Sequence, residues 1–343
     1  MIQYLNVAEQ NKPYCYISAQ AQKYPTQPWS KLYTQSYTYF PDPKDTDLIE
    51  SSKTKKIVIN ASEEPVSFSQ DFYSIENSYF KTLSNFLILA SDVNFLSNQS
   101  QNICYYPFHL ICAAEMVQTD VDIINNNPTR KYKLSCLNGQ GRYHRIENYI
   151  KLRRKPYFKD LLVKIHNHYV GPDDTPRLFV GDPLDIDQVI LDEFDAIKET
   201  LPSYSNVSYD IAHDECFYNS YVNFITETTA SNSVVFISEK TFKAFRSGQF
   251  PLWLSGPHTV KYLRDLGFDV FDDIIDHSYD NESNLKKRID IIHQEIDRLM
   301  TLDLDLAWIK TLGRRLNNKQ RLMSKDLLIQ ATAHIHEDIL RLS

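Results

Sequence analysis

The chain has 343 residues, 42% of them hydrophobic and 24% charged, which is enough apolar material for a sizeable core and enough length for two domains. A formal net charge of −7, from 37 Lys and Arg against 44 Asp and Glu, excludes a broad basic face for nucleic acid and leaves a local basic patch as the only electrostatic route to such a partner. The five cysteines, Cys15, Cys104, Cys112, Cys136 and Cys216, are odd in number and lack C-x-x-C spacing, which argues against a disulfide framework and a zinc site and for a reducing compartment.

In chain order, the first fifty residues are rich in Tyr, Gln, Pro and Ser without apolar periodicity and read as an irregular arm or a set of short elements. No signal-peptide pattern opens the chain and no run approaches the roughly 18 apolar residues of a membrane span, so a cytoplasmic location is expected. Residues 55–60 form the first clear strand, which leads into Ala61-Ser62-Glu63-Glu64-Pro65. Two acids just beyond a parallel strand suit a catalytic carboxylate and its neighbour, or an acidic loop. Residues 86–90 are a second strand, and the apolar stretch 105–117, interrupted by Pro107, holds His109 as a packed or hydrogen-bonded histidine. Residues 125–130, NNNPTR, are the clearest linker, and the domain boundary is expected at 127/128.

The strand 131–137 opens the second domain. Asn138-Gly139-Gln140-Gly141-Arg142 then turns the chain into a helix through Ile146, Tyr149, Ile150 and Arg153. Gly139 and Gly141 would let the backbone approach a phosphate, with Arg142, His144 and Arg145 supplying charge near the helix start. Lys151 to Lys155 read as a solvated helix end, and as the one patch able to steer an anionic acceptor. Residues 171–208 are proline-interrupted and loop-like, and Asp182, Asp185 and Asp187 have neither helical nor metal-cage spacing. The sheet resumes through Tyr221, Phe224 and Ile225, ahead of Thr226-Glu227-Thr228.

Residues 234–237 are expected to be a buried strand. Ser238 stands as N-cap of a helix with Phe242 and Phe245 inward and Gly248 as its left-handed end. Glu239 and Lys240 fall in its first turn and Lys243 one turn on, which gives an anion-attracting helix start further cations. Residues 251–254 read as the next strand, and Val260, Leu263 and Leu266 as the buried face of a helix closed by Gly267. Leu285, Ile289, Ile292, Ile296 and Leu299 form a core stripe, and residues 306–342 are helical in pattern.

Ser238-Glu239-Lys240 followed by Ala244, Gly248 and Pro251 resembles the T-E-K donor-binding signature of the α1,3-fucosyltransferase family. Membership would imply the GT-B fold, two Rossmann-like α/β domains facing a cleft, and GDP-fucose as donor. Glu63-Glu64-Pro65 is similar to that family's E-x-P loop, which assigns Glu63 as general base, with Glu239 the second residue assigned to catalysis. Asn138 and Arg145 look like the pair that contacts the donor diphosphate, and Arg142 is the competing match. Thr226-Glu227-Thr228 resembles the family's E-N segment, matching at Glu227 and departing at Thr228. Phe236 stands where the family has a tyrosine.

The expectation is an inverting, metal-independent glycosyltransferase with its acceptor domain at residues 1–127, its donor domain at 128–310, and helices at 311–343 that cross back to the first domain. The donor would be held by Asn138, Arg142, Arg145, Glu227, Thr228, Glu239, Lys240 and Lys243. No cofactor or metal is called for, since the nucleotide sugar is a substrate. The acceptor is a glycan or another hydroxyl-bearing molecule, with a nucleic acid left open. Two other readings are a metal-dependent GT-A enzyme using Asp45-Thr46-Asp47 as a D-x-D pair, and a nucleotide-sugar or glycan-binding protein without turnover.

Overall fold

Short β-prone runs with helices between them give an α/β architecture built on parallel sheets. The computed structural model of the chain describes residues 14–18, 56–60, 86–96, 103–116, 129–139, 141–165, 187–201, 215–232 and 234–341. Two compact units result, one made of Met1–Phe108 with Leu328–Ser343 and the other of His109–Leu327. The expected boundary at 127/128 lies outside the described residues.

In the first unit, β1 (Tyr14–Ser18), β2 (Lys56–Asn60), β3 (Phe86–Ala90) and β4 (Ile103–Tyr105) pair in chain order, all parallel. Of the two readings of the first fifty residues, an irregular arm or a set of short elements, the second agrees with Tyr14–Ser18, a strand registered on β2. Its five residues are too few to show a period against the polar sequence around them. Helix α1 (Phe108–Met116), which from His109 on belongs to the second unit, begins directly after Pro107, a residue that cannot continue a strand ladder but sits readily before a helix.

The second unit orders its strands β6-β5-β7-β8, all parallel, from β5 (Tyr132–Asn138), β6 (Leu161–Ile165), β7 (Ser220–Thr226) and β8 (Phe250–Leu254). After β5 the chain adds β6 on one side. It then returns to add β7 and β8 on the other, so the order reverses between β5 and β7. Open α/β sheets bind ligands beyond the carboxyl ends of the strands at such a switch point. Every residue of β7 is buried, as expected of a parallel strand covered on both faces.

Helices α2 (Tyr143–Arg153) and α3 (Gln188–Ile197) cover one face through Tyr143, Ile146, Ile150, Ile190 and Phe194. Helix α3 corrects the loop reading of residues 171–208. Asp187 caps it by accepting a hydrogen bond from Val189 N at 3.0 Å, and the prolines on both sides had broken the apparent period. The later helices are α4 (Cys216–Asn219), α5 (Glu239–Ser247), α6 (Thr259–Asp265), α7 (Leu285–Thr301), α8 (Leu304–Lys310), α9 (Leu312–Leu322) and α10 (Lys325–Arg341).

Residues 234–237 are a second correction. They are buried, yet only Phe236 makes an isolated bridge, and the segment crosses close to the turn after β8, with the Val234 carbonyl against Gly256. At the amino ends of the strands, Trp308 of α8 is held between Arg130 and Arg315, whose guanidinium carbons lie 3.9 and 3.5 Å from its ring centroid. Two guanidinium groups that near cannot share one face, so they take opposite faces. Arg130 also donates to the carbonyls of Phe217 (2.7 Å) and Ser220 (3.0 Å), which ties α8 and α9 to the sheet.

The basic run at the end of α2 is neutralised locally. Lys151 pairs with Asp290 at 2.7 Å, Arg154 with Glu193 at 2.5 Å and Lys155 with Asp297 at 2.6 Å. Such exposed pairs contribute about 0–1 kcal/mol each, and they spend the charge that would have steered an anion.

Candidate functional site

The switch point is closed at its base by hydrogen bonds between strand ends. Asn138, the last residue of β5, is fully buried, accepts from Thr226 Oγ1 at 2.6 Å and donates through Nδ2 to the Lys164 carbonyl at 3.2 Å. The same Nδ2 reaches Cys136 Sγ at 3.3 Å, and burial pushes that thiol's pKa up to about 12, so it stays protonated. The amide of Asn138 thus ties β5, β6 and β7 together at their carboxyl ends. A ligand contact by this group would have to replace one of these bonds.

Beyond it, the start of α2 is turned onto the segment that leaves β7. Arg142 donates through Nη1 to the Thr228 carbonyl at 2.6 Å, and Arg145 donates through Nη2 to the carbonyls of Thr226 (3.1 Å) and Glu227 (3.0 Å). His144 Nε2 lies 3.1 Å from the Glu227 carbonyl, which can only accept, so Nε2 carries the proton. Burial and then Arg145 hold the His144 pKa well below its ordinary value and keep the ring neutral. Burial lowers Arg145 to about 10, which leaves it a cation at neutral pH. Gly139 opens this turn, and among the described residues no heavy atom lies within 4 Å of a Cβ built there.

Both competing arginines therefore converge on one short stretch of backbone. Arg145→Ala is expected to lower stability by about 1–3 kcal/mol, because the buried Thr226 carbonyl loses its donor, and to weaken a diphosphate more than its nucleoside. Denaturant melts and calorimetry on Arg145→Ala and Arg142→Ala check this. A diphosphate-specific loss in Arg142→Ala alone would assign the role to that residue instead.

The third wall is the start of α5. Ser238 caps it, its Oγ accepting from Lys240 N at 3.4 Å and standing 3.5 Å from Lys240 Nζ. Glu227 reaches across from the end of β7: its Oε1 accepts from Ser238 N and from Thr241 Oγ1, each at 3.0 Å. Thr241 Oγ1 in turn accepts from Trp253 Nε1 at 2.9 Å, which locks α5 onto β8. Glu227 Oε2 is buried without a hydrogen-bond partner among the described residues, and burial raises the pKa of this carboxyl.

Glu239 is opposed by its own burial, but Lys240, Lys243 and His109 outweigh that and hold its pKa down to about 2. Lys243 is 5% exposed beside the Phe217 ring, so it acts here through charge rather than by reaching solvent. His109 of α1 brings Nδ1 to 3.8 Å from Glu239 Oε2 and packs edge-on against Phe236 with centroids 5.4 Å apart.

The structure thus gathers Asn138, Arg142, Arg145, Glu227, Thr228, Glu239 and Lys240 at the carboxyl ends of β5 and β7, while Lys243, one turn further along α5, lies by Phe217 ahead of β7 and reaches Glu239 through charge. Glu63, Glu64, Asp45 and Asp47 lie outside the described residues. Among the described residues no group of His, Cys, Asp and Glu is placed to hold a metal ion, and no helix is long and apolar enough to cross a membrane. His109 is packed as the sequence reading expected, against Phe236, and in addition faces Glu239; Arg288 of α7 is a contributor that the sequence reading did not name. Arg288 is 1% exposed and donates to the Ala230 carbonyl at 2.8 Å and to Asn232 Oδ1 at 2.9 Å, pinning the segment after β7. Comparison of the chain with protein-family models, with curated proteins and with solved structures finds no match.

Proposed function

We propose that this chain is an inverting, metal-independent glycosyltransferase of the GT-B type that moves a sugar from a nucleotide diphosphate donor, GDP-linked in our reading, to an acceptor hydroxyl. The observation that carries this reading is the convergence of two cation-bearing helix starts, those of α2 and α5, on the switch point between β5 and β7. On this reading each unit is one Rossmann-like half, and the described second sheet is the donor side.

In-line attack at an anomeric carbon needs a base for the acceptor and fixed positive charge for the departing diphosphate. Glu63 is assigned the first task and Lys240, half-buried at the start of α5, the second. Arg142 and Arg145 shape the backbone behind Lys240, with Asn138 fixing the strand ends below them. Glu227 Oε2 offers a buried acceptor for a donor hydroxyl or N–H. The thiols of Cys104, Cys136 and Cys216 are buried, which is compatible with the reducing, cytoplasmic setting of this reading.

Lys240→Ala should remove a charge-assisted contact, costing about 1.5–3 kcal/mol in nucleotide diphosphate affinity with little change in melting temperature. Unchanged affinity by calorimetry would remove Lys240 from the site. The function itself is tested by incubating purified protein with GDP-fucose and an acceptor panel, with and without a chelator. Acceptor-dependent release of GDP that survives chelation is expected. Binding without turnover would favour a nucleotide-sugar-binding protein, and a manganese requirement a GT-A enzyme.

A further inference from the structure

We infer that His109 is a positioning residue for the charge at the start of α5: its imidazole faces the Glu239 carboxylate and sets how much negative charge an arriving diphosphate meets. This rests on the donor-site reading above. At 3.8 Å the Nδ1 to Oε2 separation is longer than a hydrogen bond yet within ion-pair range, so the coupling is one of charge. The ring is steadied by Phe236, which meets it edge-on at an interplanar angle of 87° and lies only three residues before Glu239. Side-chain exposures of 6% for His109 and 24% for Glu239 keep water from screening the pair.

A carboxylate in the first turn competes with an anionic ligand for the same helix start and the same lysines. A protonated His109 offsets that carboxylate. A neutral one leaves it to repel the ligand. The other charged groups around Glu239 are Lys240 and Lys243 on its own helix, Arg145 from α2 and Glu227 from the end of β7. Of these, Glu227 is raised by burial and Lys243 lowered by it. Both remain in a His109 variant, so the difference between wild type and variant isolates the imidazole. The sign follows: anion affinity is highest where His109 is protonated and falls as pH rises through its titration, and a bound anion raises the imidazole pKa in return.

The test is calorimetric titration from about pH 5 to about pH 8, the window of an ordinary histidine. The probes are GDP-fucose and UDP-glucose, whose diphosphate diesters carry no proton that titrates there. Wild type should lose up to about tenfold in affinity across the window, as a group shifted by about one unit requires. His109→Gln should show a flatter profile, and Glu239→Gln should bind more tightly than wild type at the alkaline end. Proton-detected NMR of the imidazole in wild type and Glu239→Gln reads the same coupling without ligand: the His109 titration should move down by roughly one unit when the carboxylate is removed. Parallel pH profiles for wild type and His109→Gln, or an imidazole titration indifferent to Glu239→Gln, would overturn the proposal while leaving the donor site intact. Failure of wild type to bind either nucleotide sugar would overturn the donor-site reading and this inference with it.

Discussion

Alanine at Gly256 is expected to destabilise the second unit by about 3 kcal/mol or more, the upper part of the range for forcing atoms into a packed interior. A Cβ built there stands 2.1 Å from the Val234 carbonyl oxygen, 3.0 Å from its carbon and 3.1 Å from the Ser231 carbonyl oxygen. All three are backbone atoms, so no side-chain rotation relieves the clash. Nor is the opposing segment free to retreat, because Arg288 holds Ala230 and Asn232 and because Val234, Val235 and Phe236 are buried. The turn after β8 and the segment before α5 would therefore be forced apart at the edge of the site. A urea melt of Gly256→Ala measures the loss, and Gly139→Ala, where a Cβ meets no heavy atom of the described residues within 4 Å, is the matched control with a small expected effect. Equal stability of the two variants would mean that the approach at Gly256 is not a constraint in solution.

Glu63→Gln is expected to keep nucleotide binding and to reduce transfer by about 10²-fold or more, the lower bound for losing a general base. In the sequence Glu63 follows Asn60, the last residue of β2, by three positions, and open parallel sheets carry their functional loops beyond the carboxyl ends of their strands. Glutamine keeps the shape and removes the basicity. The same negative charge would stabilise the developing cation at the anomeric centre, so both losses act in one direction. Glu64→Gln should be milder. Full transfer by Glu63→Gln with none by Glu64→Gln would move the base by one residue, and activity in both would reduce the Glu-Glu-Pro stretch to an acidic loop.

What the sequence made legible follows from local rules. Ser238 as N-cap, Gly248 at φ 70° and Gly267 at φ 82° each mark a helix end by chemistry that depends on one residue, and all three stand where expected. The stripe of α7 was equally plain, because Leu285, Ile289, Ile292, Ile296 and Leu299 repeat over about four turns and all are buried. Yet Arg288 follows Leu285 by three positions and precedes Ile292 by four, so the same periodicity points it inward. Reading the stripe as core alone hid a buried cation at the site. His109 carried a weaker signal, a single titratable group in an apolar run, and its contact with Glu239 depends on tertiary structure that no spacing encodes.

The elements left open or misread in the sequence share a physical cause. Whether Tyr14–Ser18 or the segment at Phe236 pairs as a strand depends on where the chain brings it against a neighbouring strand, which is a property of the tertiary fold rather than of the five or so residues concerned. Likewise, Asp187 looked like one of three scattered acids because its capping role is defined by the helix behind it. For Arg142 and Arg145 the residue types announced charge near a helix start. That the charge is turned onto the carbonyls of Thr226, Glu227 and Thr228 follows from the chain reversal between β5 and β7, which brings those carbonyls within reach.

Calorimetric titration of the wild-type protein with GDP, UDP and ADP, each run beside its nucleoside, tests the central claim most directly. The account predicts that at least one diphosphate, GDP first, binds with measurable heat while its nucleoside binds far more weakly, because Lys240 and the two helix starts recognise the phosphates. Absence of binding by all three diphosphates, or equal binding of diphosphate and nucleoside, would contradict a donor site at the switch point between β5 and β7.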